Sequence, residues 1–240
     1  PEDGCVWGCF DYNQQEPRLV VHYASLQQLP SAFTVVDAYK EGNADFHGIV
    51  ADMAQIPRKQ AKTINLGLFY GMGKAKLQAE LGVSKEKSDD LFATYHSKVP
   101  FVKQLMNAVS QRAQQRGQIR TLLGRLCRFH LWEPNYFGIH KALPHEQAIL
   151  EHGPGIKRAF TYKSLNKLIQ GSAADMTKKC MLELYKEGII PHIQIHDELD
   201  ISVENDKQAK RIIQVMESAV ELAIPNKVDY EAGNNWGEIH

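Results

Sequence analysis

Apolar and polar residues alternate on both sides of an acidic centre in the stretch Ile193-Gln194-Ile195-His196-Asp197-Glu198-Leu199-Asp200-Ile201-Ser202-Val203. An alternation with a period of two is typical of strands that bury one face. Two such runs joined by a short polar segment predict a β-hairpin. We therefore expect an antiparallel hairpin that carries Asp197 at its tip.

A second carboxylate, Asp11, follows another apolar run. Residues 5–10 are apolar and partly aromatic, which predicts a buried strand that ends at Asp11. Pro17 stands where the first turn of a helix tolerates proline, and residues 19–24 continue as a packed helix. Asp11 is therefore expected at the end of a strand and Glu16 at the start of a helix.

The remaining periodicity is mostly helical. Residues 118–126 are expected to be extended, and the segment 132–155, rich in His, Pro and Gly, is expected to be a long surface loop with short helices. Helices are predicted at residues 58–70, 84–95, 101–115, 162–187 and 208–222. The first of these carries a stripe of side chains spaced four residues apart, namely Arg58, Lys62, Leu66 and Tyr70.

The charges of the chain are segregated along the sequence. The formal net charge is zero, with 28 basic and 28 acidic residues among 240. However, residues 53–79 contain five basic side chains and no acid, and residues 111–131 contain five arginines and no acid. Local positive surfaces of this kind suit phosphates. A solvated helical face would have the same composition, so charge alone leaves both interpretations open.

The sequence has four scattered cysteines and no C-x-x-C pair: Cys5, Cys9, Cys127 and Cys180. This spacing favours reduced thiols over disulfides or a zinc site. The sequence has no run of about 18 apolar residues. It also lacks an N-terminal basic segment followed by an apolar one. We therefore expect neither a membrane span nor a signal peptide, and a cytoplasmic location.

Two carboxylates on rigid strand ends can bind Mg²⁺, which prefers hard oxygen ligands. Two such ions about 3.5–4 Å apart stabilise both the attacking and the leaving oxygen of a phosphoryl transfer. A cationic helix would then hold the triphosphate. Asp11 and Asp197 would form such a site if they converged beside the positive helix of residues 58–70.

Three segments resemble the motifs of family A (polymerase I type) DNA polymerases. The first motif is similar to Asp11-Tyr12-Asn13-Gln14-Gln15-Glu16-Pro17-Arg18. The second, a nucleotide-binding helix, is similar to Arg58-x-x-x-Lys62-x-x-Asn65-Leu66-Gly67-x-x-Tyr70-Gly71. The third is similar to His196-Asp197-Glu198. The family's minor-groove helix resembles Asn166-x-x-x-Gln170-Gly171-x-Ala173-Ala174-Asp175, and all segments lie in the family's order.

The resemblance implies roles for the residues that match the catalytic motifs. Asp11 and Asp197 would bind the metal ions, with the backbone carbonyl of Tyr12 as a further ligand. Arg58 and Lys62 would grip the β and γ phosphates. Lys62 would also donate a proton to the leaving pyrophosphate.

The resemblance further implies contacts to the nucleotide and to DNA. Glu16 would lie below the sugar and exclude a 2′-hydroxyl, and Tyr70 would close against the nascent base pair. Leu66, which stands where the family usually carries Phe or Tyr, and Gln14 complete the nucleotide-binding set. The implied DNA-binding residues are Asn166, Gln170, His196 and Arg125, of which the two amides suit minor-groove acceptors.

The implied fold is α+β, with a polymerase palm of antiparallel sheet and packed helices and a mostly helical fingers subdomain. We expect residues 1–35 to form palm with the first metal-binding motif and residues 36–130 to form fingers and a return segment. Residues 131–240 would return to the palm, including the loop 132–155, the minor-groove helix and the acidic hairpin.

The implied function is a nucleotidyltransferase: a template-directed DNA polymerase that adds dNTPs to a primer 3′-hydroxyl through two Mg²⁺ ions, with Mn²⁺ as a substitute. Its partners would be primer-template DNA, dNTPs and a thumb and exonuclease region in the same gene product or a second chain. A phage origin would place it in the host cytoplasm. Two alternatives are a single-subunit RNA polymerase-like enzyme, which Glu16 disfavours, and a non-catalytic DNA-binding module.

Overall fold

The computed structural model describes residues 1–42, 45–69, 74–136 and 138–239. These residues form helices and antiparallel strands, which confirms the predicted α+β class. The chain divides into two compact units: Pro1–Phe46 together with Ser172–His240, and residues 47–171 between them. The two units are separated by where residues pack most densely against one another. The finer division into palm and fingers at residues 35 and 130 stays a prediction.

The first unit is built on an antiparallel sheet in the order β7-β8-β1-β9. Its inner strands are β1 (Val6–Tyr12) and β8 (Glu198–Val203). Its outer strands are β7 (Ile193–Ile195) and β9 (Val228–Gly233). The pairing of β7 with β8 confirms the predicted hairpin, and the end of β1 near Asp11 confirms the predicted strand.

One face of this sheet carries the core of the first unit. Phe10, Leu199 and Ile201 alternate along β1 and β8 with residues of the opposite face, and each is at most 2% exposed. The helices of this unit are α1 (Gln15–Leu26), α2 (Phe33–Lys40) and α10 (Asp206–Ser218), with 3-10 turns at Pro30–Ala32 and Trp236–Glu238. The apolar face of α10 buries Ile212 and Met216 completely.

The second unit is mainly helical. Its helices are α3 (Phe46–Ala54, which begins one residue before the unit), α4 (Arg58–Phe69), α5 (Lys74–Leu81), α6 (Lys85–Lys98), α7 (Pro100–Arg116) and α8 (His145–His152). As the sequence predicts, α6 begins after Ser84, whose hydroxyl caps the helix by accepting the backbone N–H of Lys87. Helix α7 ends at Gly117, whose φ of 66° is the left-handed conformation that favours glycine.

Short strands lie in two segments of this unit, of which residues 118–126 are predicted to be extended and residues 132–155 to be a loop with short helices. The extended stretch through residue 126 is a hairpin of β2 (Gln118–Arg120) and β3 (Leu126–Arg128). The segment 132–155 contains one of the expected short helices, α8, but also the strands β4 (Leu131–Pro134) and β5 (Leu143–Pro144), and β4 also pairs with β6 (Ile156–Arg158). Strands of two to four residues are too short to show periodicity, and the partners of β4 lie far along the chain.

The long helix α9 (Ser164–Lys186) follows a 3-10 turn at Thr161–Lys163 and runs through residue 171, where the two units meet in the sequence. Gly188, with a φ of 78°, lies just beyond its end. Throughout residues 1–42, 45–69, 74–136 and 138–239, the helices are too short or too polar to cross a membrane.

Candidate active site

The first unit brings Asp11 and Asp197 to neighbouring positions. Asp11 near the end of β1 is paired with Glu198 at the start of β8, and the backbone N–H of Tyr12 donates to the carbonyl of Asp197 at 3.3 Å. The turn between β7 and β8 is tight, since His196 has a φ of 53°. The three predicted metal ligands, Asp11, Tyr12 and Asp197, therefore lie together at one end of the sheet.

The environment of Asp197 disfavours its ionised form. Burial raises the pKa of the Asp197 carboxyl, and the Glu198 carboxylate raises it further, against the opposing effects of a backbone hydrogen bond and of His196. A bound cation would favour the ionised carboxylate at this half-buried position. Hard carboxylate oxygens of this kind fit a divalent metal ion.

Further acidic groups lie on the same face of the sheet. Cys9 pairs with Asp200 in the register of β1 and β8, and the ligand atoms of Cys9, Glu198 and Asp200 all lie within 4.8 Å of one another. Asp200 is fully buried and accepts a hydrogen bond from the indole N–H of Trp7 at 3.1 Å. Burial is the main cause that raises the pKa of the Cys9 thiol, followed by its hydrogen bond with Glu198.

Hydrogen bonds fix the loop that follows Asp11. Gln14 adopts a left-handed conformation with a φ of 52°, and its side-chain oxygen accepts the backbone N–H of Phe46 at 3.0 Å. The buried guanidinium of Arg18 donates to the carbonyl of Asn13 at 2.6 Å. Glu16 lies half-buried in the first turn of α1, where the sequence predicts it.

In the second unit, α4 presents the predicted cationic stripe. Arg58 and Lys62 are exposed and Leu66 is half-buried. The buried residues of this helix are Ala61, Ile64, Asn65, Gly67, Leu68 and Phe69. Tyr70, the last member of the predicted stripe, lies outside the residues that the structure describes.

The predicted DNA-binding residues of the second unit lie close together. Asn166 and Gln170 are four residues apart on α9 and share one face. The Arg125 guanidinium donates to the carbonyl of Gly171 at 2.6 Å, next to Gln170. Gly171 is required here because a Cβ atom would lie 2.6 Å from the Thr121 methyl group. The fourth predicted residue, His196, belongs to the first unit.

The sequence model of DNA polymerase family A matches residues 1–238. The chain belongs to this family. It is 36% identical to a DNA-directed DNA polymerase of Pseudomonas phage M6 across 99% of its length, and 31% identical to DNA polymerase I of Geobacillus stearothermophilus across 94%. The chain spans 39% and 25% of those two proteins, respectively.

A solved structure has the same fold as this family A chain. It is the POL domain of Pol1 from M. smegmatis in complex with DNA primer-template and dNTP. The TM-score is 0.76 at 24% sequence identity, and the match covers 98% of this chain and 40% of that one.

Two features of the family A chain were missed by the sequence reasoning. Cys9 and Asp200 were not singled out, although the alternation of Glu198 and Asp200 along one strand places both on the same face. Glu198 follows Asp197 in the hairpin, and the structure half-buries its side chain against Cys9. The register of β1 against β8 brings Cys9, Glu198 and Asp200 together, and the local periodicity of the sequence does not reveal that register.

Proposed function

We propose that this chain carries the active site of a template-directed DNA polymerase, which adds dNTPs to a primer 3′-hydroxyl and releases pyrophosphate. The observation that supports it best is the meeting of Asp11 and Asp197 at one end of a rigid sheet. The sequence match to the polymerase family supports it further. The division into palm at residues 1–35 and 131–240 and fingers at residues 36–130 is part of the same proposal.

Family A polymerases generally use divalent metal ions. We infer that Asp11, Asp197 and the carbonyl of Tyr12 hold two Mg²⁺ ions, which Mn²⁺ can replace. When bound, the ions supply charge stabilisation for the attacking and leaving oxygens. The carboxylates supply hard oxygen ligands on strand ends that cannot move apart without breaking the sheet.

The other side chains bind and orient the substrates in this proposal. Arg58 and Lys62 hold the β and γ phosphates, and Lys62 donates a proton to the leaving pyrophosphate. Leu66 and Tyr70 pack against the nucleotide. The remaining nucleotide-binding residues, Gln14 and Glu16, border the sugar, where the Glu16 carboxylate excludes a 2′-hydroxyl.

DNA recognition rests on the second unit and on the hairpin tip. Asn166 and Gln170 donate hydrogen bonds to minor-groove acceptors, which are common to A·T and T·A pairs and therefore carry little sequence information. Arg125 and His196 also bind the primer-template DNA, and His196 positions the primer end. Because the chain spans only part of its relatives, other regions of the polypeptide or a second chain would add phosphate contacts.

Primer extension with Mg²⁺ tests the proposed function. We expect the complete polypeptide that contains this chain to extend a primer with dNTPs far faster than with rNTPs. The Asp197→Asn variant should lose nearly all extension, whereas Asp206→Asn, which changes an exposed carboxylate on α10, should retain it. Full extension by Asp197→Asn would contradict the proposal.

A further inference from the structure

Helix α4 is held in the second unit by a buried chain of polar side chains. His47 on α3, Asn65 on α4 and Tyr95 on α6 are respectively 6%, 0% and 0% exposed. The Asn65 amide group donates to Nδ1 of His47 at 3.1 Å. The hydroxyl of Tyr95 donates to Oδ1 of Asn65. One amide therefore joins three helices.

These hydrogen bonds are directional in a way that the surrounding apolar contacts are not. Buried polar groups are costly unless they are hydrogen-bonded, so the amide must keep its donor toward His47 and its acceptor toward Tyr95. Burial raises the pKa of Tyr95, which keeps its hydroxyl protonated as a donor. The apolar residues of α4 pack without a strict angular preference. The hydrogen bonds therefore add an angular constraint on the rotation of α4 about its own axis.

The position of Asn65 links this rotation to the cationic stripe. Asn65 follows Lys62 by three residues and Arg58 by seven, so all three lie on the same side of α4. Since the helix is stiff over this length, the rotation set at Asn65 is also the rotation of the two cations. A small turn of the helix at Asn65 would move both away from a bound triphosphate.

We propose that Asn65 is a positioning residue for the nucleoside triphosphate, acting through its hydrogen bonds to Tyr95 and His47. The inference rests on the proposed polymerase function. The hydrogen-bonded contact of α3, α4 and α6 aligns Arg58 and Lys62. Loss of either hydrogen bond lets α4 rotate, so the enzyme binds the triphosphate less well while its DNA contacts are unchanged.

The test uses variants that change one hydrogen bond at a time in the complete polypeptide. Tyr95→Phe removes only the hydroxyl, and His47→Leu removes the acceptor. His47→Asn is the conservative variant, because its side-chain oxygen can take the place of Nδ1. Val109→Ala on the buried face of α7 is the control for general loss of stability, since Val109 is 5% exposed and α7 contributes none of the three polar side chains.

The KM for dNTP, kcat, the primer-template Kd and the unfolding midpoint are measured for each variant, well below that midpoint. We expect Tyr95→Phe and His47→Leu to raise the KM for dNTP about three- to tenfold. The primer-template Kd should not change, and Val109→Ala and His47→Asn should keep a KM close to the wild type. A KM in Tyr95→Phe equal to that of Val109→Ala, or equal defects in His47→Asn and His47→Leu, would overturn the inference.

The same measurements separate this inference from the proposed function. If the wild-type polypeptide extends a primer and Asp197→Asn does not, the proposed function stands and the KM values decide the role of Asn65. If wild type and Asp197→Asn are equally inactive or equally active, the proposed function is overturned, and the inference that rests on it is overturned as well.

Discussion

Replacement of Arg18 by leucine should strongly destabilise the first unit. Arg18 is 3% exposed, and its guanidinium donates to the carbonyls of Asn13 at 2.6 Å and Pro225 at 2.5 Å and lies 4.7 Å from the centre of the Tyr39 ring. Each buried acceptor left without its donor costs about 1–3 kcal/mol. Burial lowers the pKa of Arg18, which reflects the cost of burying its charge. Leucine avoids this cost and buries an apolar side chain instead, so it recovers a part of the lost free energy. We therefore expect a net loss of about 3 kcal/mol.

Thermal unfolding followed by circular dichroism measures this effect. For a chain of this size, about 3 kcal/mol corresponds to a midpoint lower by roughly 6–12 °C. Arg211→Leu is the matched control, because Arg211 pairs with Glu187 at the surface, where ion pairs contribute little. Equal midpoint shifts in Arg18→Leu and Arg211→Leu would show that the buried guanidinium does not hold the loop after Asp11.

Three further perturbations have separate outcomes. Gly117→Ala should lower the unfolding midpoint more than Gly82→Ala. Both glycines have a positive φ, but only a Cβ at position 117 would lie 2.7 Å from the Arg158 guanidinium carbon. Equal decreases of the midpoint would exclude that contact as a cause. Burial lowers the pKa of His22 in the folded chain, so the unfolded chain binds a proton at a higher pH than the folded chain does. The free energy of unfolding should therefore fall as the pH drops below about 6.5, the ordinary pKa of histidine. His22→Asn should flatten this dependence, and an unchanged slope in urea unfolding at successive pH values would contradict the cause. Leu66→Phe should change the ratio of dideoxynucleotide to dNTP incorporation in primer extension, and an identical ratio and rate would remove a role for this side chain.

The acidic hairpin was predictable because both of its strands have a clear alternation. Asp197 and Glu198 stand between two runs whose apolar residues recur at every second position, and the structure pairs these runs as β7 and β8. The start of α6 was predictable for a similar local reason, since Ser84 accepts the backbone N–H three residues later. Signals that act over a few residues are visible in a single sequence.

The features that the sequence did not reveal depend on partners far along the chain. Strand β9 has an irregular pattern of polar and apolar residues, and it forms an edge of the sheet because it pairs with β1 near the other end of the chain. The approach of Cys9 to Asp200 follows from the register of two distant strands. Asn65 appears in the sequence as one polar residue in a helix, whereas its partners lie 18 and 30 residues away.

The candidate site shows the same division. Local patterns place Asp11 at the end of a strand and Asp197 at a hairpin tip, but they do not say that the two strands are neighbours. That expectation came from the resemblance to the polymerase motifs and their order. The pairing of Asp11 with Glu198 supplies the missing geometric link within the first unit.

Asp11 and Asp197 are proposed to hold divalent metal ions together, and Mn²⁺ binding measured by electron paramagnetic resonance tests this directly. The complete polypeptide is titrated with Mn²⁺ in the presence of primer-template and a non-hydrolysable dNTP. We expect Asp11→Asn and Asp197→Asn each to weaken Mn²⁺ binding by more than about tenfold, and Asp206→Asn to leave it unchanged. Wild-type Mn²⁺ affinity in either of the first two variants would contradict the claim.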